Sequence, residues 1–185
     1  MEWITSIDFS ILNGIRDSMF GGFLDGPMMV LSYMGESGAI WIVAAIVLLF
    51  FRKHRATGLM MLAALAIGFL CGDLALKHLI ARTRPFLVNE VALNIATPHG
   101  FSFPSGHATA SFAASVTLLL RDKRFGIPAV ILAALICFSR LYNYVHYPSD
   151  VLAGMLLGTI CALIVYAVFR KAGWIDRISG EKKKL

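Results

Sequence analysis

Ser139-Arg140-Leu141-Tyr142-Asn143-Tyr144-Val145-His146-Tyr147-Pro148-Ser149-Asp150 is the stretch on which the reading of this chain turns. It lies between two strongly apolar runs, 129–138 and 151–169. Polar groups at the edge of such runs are costly unless they face protein or water. Arginine is always charged, and its planar fork suits phosphate or carboxylate. Histidine serves as a nucleophile or proton carrier near neutral pH. An aspartate four residues after a histidine is placed to hold its second ring nitrogen and favour the imidazolium, the orienting role an acid plays beside a catalytic histidine. The stretch reads as half of a phosphate-handling site at a membrane surface.

Composition sets the surroundings. Of 185 residues, 58% are hydrophobic and 15% charged, against about 25% charged in an average soluble domain. The mean hydropathy is +0.73. This is a membrane protein, too short for a second globular domain. The net charge of +6 comes from short basic clusters at the ends of apolar runs, which is a membrane pattern rather than a nucleic-acid one. Cys71, Cys137 and Cys161 lie in or beside apolar helices with neither paired nor metal-like spacing, and they read as small buried apolar residues. The first twenty residues carry Glu2, Asp8 and Asp17 and lack the apolar core of a cleavable signal.

Outward from the central stretch, the chain divides into an N-terminal amphipathic, interfacial segment over 1–26, a membrane domain over 27–171 and a basic cytoplasmic tail over 172–185. In the first, Trp3, Ile4, Ile7, Ile11, Leu12 and Ile15 recur at helical spacing between charged residues. Apolar segments over 28–51 (kinked at Gly35-Glu36-Ser37-Gly38), 58–80, 104–120, 127–144 and 151–169 predict five spans. A sixth follows if the first segment also crosses. The fold class is therefore all-α, a polytopic membrane helix bundle of five to six spans. If spans alternate, the basic clusters at 52–55, 121–124 and from 170 onward share one side, which the positive-inside tendency makes cytoplasmic. Lys77, Arg82, Arg84, the 86–103 loop, Pro104-Ser105-Gly106-His107 and the central stretch then collect on the opposite, outer face.

Each cluster has an ordinary reading and a chemical one. Lys77 and Arg84, seven apart, are nearly two turns of helix from one another and close enough to grip one anion. Alone, they are equally basic residues snorkelling to head groups. Pro104-Ser105-Gly106-His107 reads as a helix start whose free amides attract an anion. Alone, it is plain capping. Tyr142, Tyr144 and Tyr147 read as an interfacial aromatic belt. Asp150 fits the first turn of the last span, near His146, while Arg140 must reach up to join them. Taken together they form an anion cage with a nucleophile–acid pair, and no Cys/His/Asp cluster shows metal-ligand spacing.

These residues resemble the type 2 phosphatidic acid phosphatase family, membrane relatives of bacterial acid phosphatases and vanadium haloperoxidases. The family pattern is lysine, six residues, Arg-Pro; then Pro-Ser-Gly-His; then Ser-Arg, five residues, His, three residues, Asp. The chain reads Lys77…Arg84-Pro85, Pro104-Ser105-Gly106-His107 and Ser139-Arg140…His146…Asp150, within a resemblance covering about 58–169. The layout is most like the small bacterial members acting on undecaprenyl pyrophosphate. The resemblance implies a haloperoxidase-like helical core and an extracytoplasmic active site in the bacterial inner membrane. Catalytic residues would be His146 (nucleophile, forming a phosphohistidine), His107 (general acid, then water activation) and Asp150 (orienter). Lys77, Arg84, Ser105, Gly106 and Arg140 would bind the phosphoryl oxygens. No metal or other cofactor is implied, and the partners are a lipid phosphate and the bilayer, not nucleic acid.

Two further readings stand beside it. A glycerolipid phosphatase acting on phosphatidate or phosphatidylglycerol phosphate fits the same motifs. A non-catalytic phosphate or lipid transporter would use the same cations, though no internal repeat is visible and the polar groups lie at one face. Arg82 is a candidate second phosphate ligand for a diphosphate. Glu36, Asp73 and His99 receive no role from the sequence.

Overall fold

The computed structural model describes residues 2–180; the lysines of the expected basic tail, Lys182, Lys183 and Lys184, lie outside the described residues. Among those described, all regular structure is helical. In chain order come α1 (Glu2–Met19), α2 (Asp25–Met34), a 3₁₀ turn (Glu36–Gly38), α3 (Ala39–Phe50), a second 3₁₀ turn (Arg52–His54), α4 (Arg55–Phe69), a π-helical segment (Leu70–Leu76), α5 (Lys77–Ile80), α6 (Pro85–Val88), α7 (Gly106–Arg121), α8 (Lys123–Tyr142), α9 (Pro148–Lys171) and α10 (Trp174–Ser179).

The bundle is built around α7. Its buried residues are small, among them Ala108, Thr109, Ser111, Ala113 and Ala114, so neighbouring helices approach closely. A close approach is to α9, where Gly154 and Gly158 form a small-xxx-small stripe of the kind that packs helices in membranes. A side-chain carbon at Gly158 would lie 2.3 Å from the Thr109 carbonyl oxygen, and one at Gly154 would lie 2.6 Å from that of Ser105. On other sides Trp41, Ala45, Met61, Ala114, Ala133 and Ile136 pack as one apolar cluster, and Trp41 Nε1 donates to Ser111 Oγ at 3.0 Å.

Three stretches are long and apolar enough to cross a membrane: Arg52–Val88, Lys123–Tyr142 and Pro148–Lys171. The pair Asp25–Met34 and Glu36–Phe50, bent by 46°, makes a fourth if counted as one span. The expected count of five to six is therefore not reached by this criterion. At 16 residues α7 is short for a span, and α1 carries Asp8, Arg16 and Asp17. The apolar side chains of the spanning helices stay largely uncovered, Leu152 and Leu156 each being 63% exposed, as a lipid-facing surface requires.

Two local expectations change. The helix carrying Lys77 does not continue to Arg84. It ends at Ile80, Ala81 turns left-handed at φ 49°, and Arg84 is extended as the cap of α6. The Ser102 amide donates to the Arg82 carbonyl at 2.8 Å, so the turn is held from the long loop. The three tyrosines of the central stretch are buried, at most 2% exposed, rather than lying in a belt. The Tyr142 hydroxyl donates to Asp25, and that of Tyr144 donates to Asn13 Oδ1 at 2.6 Å. Cys137 and Cys161 are buried as expected, while Cys71 is exposed.

Candidate active site

One end of the bundle holds a cavity of about 900 Å³ lined by Lys77, Arg84, Gly106, His107, Arg140 and His146. Of the eight residues singled out from the sequence, Ser105 and Asp150 are not among those that line it. Ser105 is fully buried, and its hydroxyl caps α7 by accepting from the Ala108 amide. Asp150 stands behind His146.

His146 ends the turn between α8 and α9 and is 2% exposed. Its Nδ1 lies 3.4 Å from Ser102 Oγ and 3.7 Å from Asp150 Oδ2. Its Nε2 faces Arg84 Nη1 at 3.3 Å. The acid side of the ring is thus Nδ1, which leaves Nε2 for the cavity. Burial pushes the His146 pKa down to about 3, with the guanidinium groups of Arg84 and Arg140 adding to the fall and the nearby Asp150 carboxylate opposing it. The ring is neutral, where the sequence pattern alone suggested an imidazolium, because desolvation and two cations outweigh one acid. A neutral ring is the form with a free lone pair.

Asp150, fully buried in the first turn of α9, accepts at Oδ2 from the Tyr147 amide at 2.9 Å and from the Ser102 hydroxyl. Ser102 comes from the long loop before α7, and the sequence reading passed over it. An unremarkable serine two residues ahead of Pro104 carries no spacing signal that would have found it.

The cations differ in how they are held. Arg84 donates to three backbone carbonyls, Gly100 at 3.0 Å, Val145 at 2.9 Å and His99 at 3.1 Å, which lock its fork beside His146. Arg140, 3% exposed, donates to the Ser32 hydroxyl, while its Nε is buried without a hydrogen-bond partner. A buried, unsatisfied guanidinium N–H at a cavity wall suits an anionic acceptor. Lys77 is paired with Asp73, one turn earlier in the π-helical segment. The Asp73 carboxylate also lies against Gly106, its Oδ1 2.9 Å from where a side-chain carbon there would begin. His107 Nε2 sits 3.1 Å from the Ser32 carbonyl oxygen and 3.8 Å from Glu36 Oε2. Ile42, Leu62, Leu65 and Phe69 give the same cavity an apolar wall. The arrangement offers cations, a helix N-terminus, a neutral imidazole and a second histidine to one anion, with room beside it for a lipid chain.

Arg82 does not line the cavity. Its guanidinium donates to Asp150 Oδ1 and Asp8 Oδ2, both at 2.7 Å, which leaves no support for the idea that it is a second phosphate ligand. Among the described residues no group of three or more His, Cys, Asp and Glu is placed to hold a metal ion.

The PAP2 superfamily model matches residues 56–174 of the chain, a region containing all three motifs. An undecaprenyl-diphosphatase of Sulfolobus acidocaldarius is 38% identical over 138 residues, covering 74% of this chain and 66% of that protein. A decaprenylphosphoryl-5-phosphoribose phosphatase of Mycobacterium tuberculosis is 36% identical over 143 residues, covering 75% and 76%. Among solved structures, a transmembrane PAP2-type phosphatidylglycerolphosphate phosphatase from Bacillus subtilis aligns with a TM-score of 0.77 and 26% identity, over 92% of this chain and 88% of that one.

Proposed function

The chain belongs to the PAP2 superfamily and is a membrane lipid phosphatase, and from that premise we propose that it removes the terminal phosphate of a polyprenyl diphosphate, undecaprenyl pyrophosphate, through a phosphohistidine on His146. The observation that carries this reading is the setting of His146: Nδ1 turned to Asp150 and Ser102, and Nε2 turned to Arg84 in the cationic cavity.

His146 Nε2 attacks the terminal phosphorus, and the bond from that phosphorus to the bridging oxygen breaks. His107, which takes up a proton from solvent as the anionic head group enters the cavity and offsets the cations around it, gives that proton to the bridging oxygen of the leaving lipid monophosphate. It then takes a proton from the water that attacks the phosphorus of the phosphohistidine, so that an O–P bond forms as the N–P bond breaks, releasing inorganic phosphate and restoring His146. Asp150 balances the charge that develops on His146. Arg84, Arg140, Lys77 and the Gly106 amide hold the equatorial oxygens, the electrostatic contribution that dominates phosphoryl transfer. Ser105 acts by fixing the start of α7. Chemistry by protein cations needs no metal, so turnover in EDTA is expected.

The prenyl substrate is supported by the two curated relatives, which are named for undecaprenyl and decaprenyl lipids. A glycerolipid phosphate is the second reading, favoured by the Bacillus subtilis neighbour. We propose that the site faces the extracytoplasmic side of a bacterial inner membrane. The basic ends of α3, α4, α7 and α8 meet at the far end of the bundle, where Arg121 Nε reaches Thr57 Oγ1 at 3.4 Å and the His54 and Phe125 rings stand 6.0 Å apart, and positive ends stay inside.

Phosphate release by the detergent-purified protein in EDTA tests this, with undecaprenyl pyrophosphate and phosphatidate offered side by side. Faster release from the prenyl substrate, lost in His146→Ala, is the expected result. Preference for phosphatidate moves the protein to glycerolipids, and equal release by His146→Ala removes the mechanism.

A further inference from the structure

Beyond the cavity, the N-terminal helix reaches the catalytic acid through a closed set of hydrogen bonds. Arg82 Nη1 donates to Asp150 Oδ1 and to Ser149 Oγ, both at 2.7 Å, and Nη2 donates to Asp8 Oδ2 at 2.7 Å. Asp8 accepts in addition from the Ser149 amide at 2.9 Å and the Ser149 hydroxyl at 2.6 Å. The guanidinium lies over the Tyr147 ring, 3.8 Å from its centroid. Asp8, on α1, is 2% exposed. None of Asp8, Arg82 and Ser149 lines the cavity.

We propose that Asp8, Arg82 and Ser149 form a clamp that positions Asp150, and through it His146, so that α1 is part of the catalytic apparatus rather than an interfacial attachment. This rests on the reading of His146 as nucleophile and Asp150 as its orienter.

The charges explain why three residues are needed. A fully buried carboxylate must be compensated. Oδ2 of Asp150 serves the histidine side, with Ser102 and the Tyr147 amide, while Oδ1 is held by Arg82. A single arginine on a single buried acid would neutralise it and weaken its hold on the imidazolium-like ring that forms during phosphoryl transfer. Asp8 shares the same guanidinium, so two carboxylates face one cation and one negative charge remains to be met by His146. Asp8 also takes the Ser149 amide in the first turn of α9, which fixes the position from which Asp150 springs. Such a group acts on the charged transition state more than on substrate binding, so its removal lowers kcat and spares KM.

The test uses the full chain with undecaprenyl pyrophosphate and with phosphatidate as substrates. Asp8→Asn is expected to lower kcat roughly 10- to 100-fold, the usual effect of a lost charged hydrogen bond, with KM within about twofold of wild type. Asp8→Glu, which keeps the charge, is expected to recover part of the loss. In an Asp150→Asn background, Asp8→Asn should cost nothing further, because the clamp acts through Asp150. Unchanged kcat, a change confined to KM, or a full multiplicative loss in the double variant overturns the clamp. Should Asp8→Asn fail to fold, Ser149→Ala keeps every charge and is expected to lower kcat by roughly 3- to 10-fold; unchanged kcat there overturns the clamp as well. The catalytic reading fails separately, if His146→Ala and Asp150→Asn both retain wild-type turnover.

Discussion

An ordinary histidine has a pKa of about 6.5 and is mostly protonated at pH 5. His146 is different, because complete burial and the guanidinium groups of Arg84 and Arg140 disfavour its charged form more than Asp150 favours it, with the pKa pushed down to about 3. A folded-state pKa below the unfolded value means the ring stays neutral as pH falls from 7 to 5. Histidine-selective NMR on the protein without substrate should therefore show His146 neutral throughout that range, and a titration midpoint near 6.5 would contradict the burial and charge seen around it. Most of these residues were legible in the sequence, because Lys77, Arg84, His107, Arg140, His146 and Asp150 are charged or titratable in an otherwise apolar chain. Ser102 and Asp8 were not. A loop serine has no periodicity to betray it, and an acid on an amphipathic helix reads as solvent-facing until α8 and α9 are packed against it. Ser105 was legible as a helix cap, and capping is where its hydroxyl is spent.

At the level of elements, the starts of α7 and α9 were readable from Pro-Ser-Gly-His and Pro-Ser-Asp, since proline and serine mark helix starts. The early end of α5 was not. Ala-Arg-Thr-Arg has no strong helix breaker before Pro85, and the turn at Ala81 is held by contacts distant in sequence, the Ser102 amide on the Arg82 carbonyl and the carbonyls of His99, Gly100 and Val145 around Arg84. The Gly154–Gly158 stripe was present in the sequence as a known packing pattern and bears directly on the site, because it sets how closely the starts of α7 and α9 approach. Gly158→Ala would place a carbon 2.3 Å from the Thr109 carbonyl oxygen and 2.8 Å from the Ala113 amide nitrogen. Both are backbone, so α9 must move. The expected cost is about 1–3 kcal/mol, read as a melting temperature several degrees lower, with turnover reduced as His107 and Asp150 separate. An unchanged melting temperature and activity would mean that the two helices are not packed as described.

Across the whole molecule, composition made the membrane class plain and the three motifs made the family plain, while three helices, or four with the bent pair, are long and apolar enough to cross a membrane, against the five to six crossings expected. Apolar runs mark helices without separating a lipid-facing span from a central helix lined by small residues such as α7. The division of charge between the two ends leads to a prediction about sidedness. In a cysteine-free variant, a cysteine placed at exposed Glu90 in the loop near the site should react with a membrane-impermeant maleimide added outside intact cells, and one placed at Lys53 should not. The reverse labelling would turn the cavity towards the cytoplasm.

The central claim is that His146 becomes covalently phosphorylated. The direct measurement is rapid acid-free quenching of the protein with terminally ³²P-labelled undecaprenyl pyrophosphate, followed by detection of protein-bound label and its stability in base and acid. A phosphohistidine mechanism predicts a base-stable, acid-labile phosphoprotein that appears before steady-state phosphate release, is absent in His146→Ala and accumulates when His107 is replaced by Ala and a substrate with a good leaving group is supplied. Turnover by the wild type without any such species under those conditions, or an equal amount of label in His146→Ala, would contradict it.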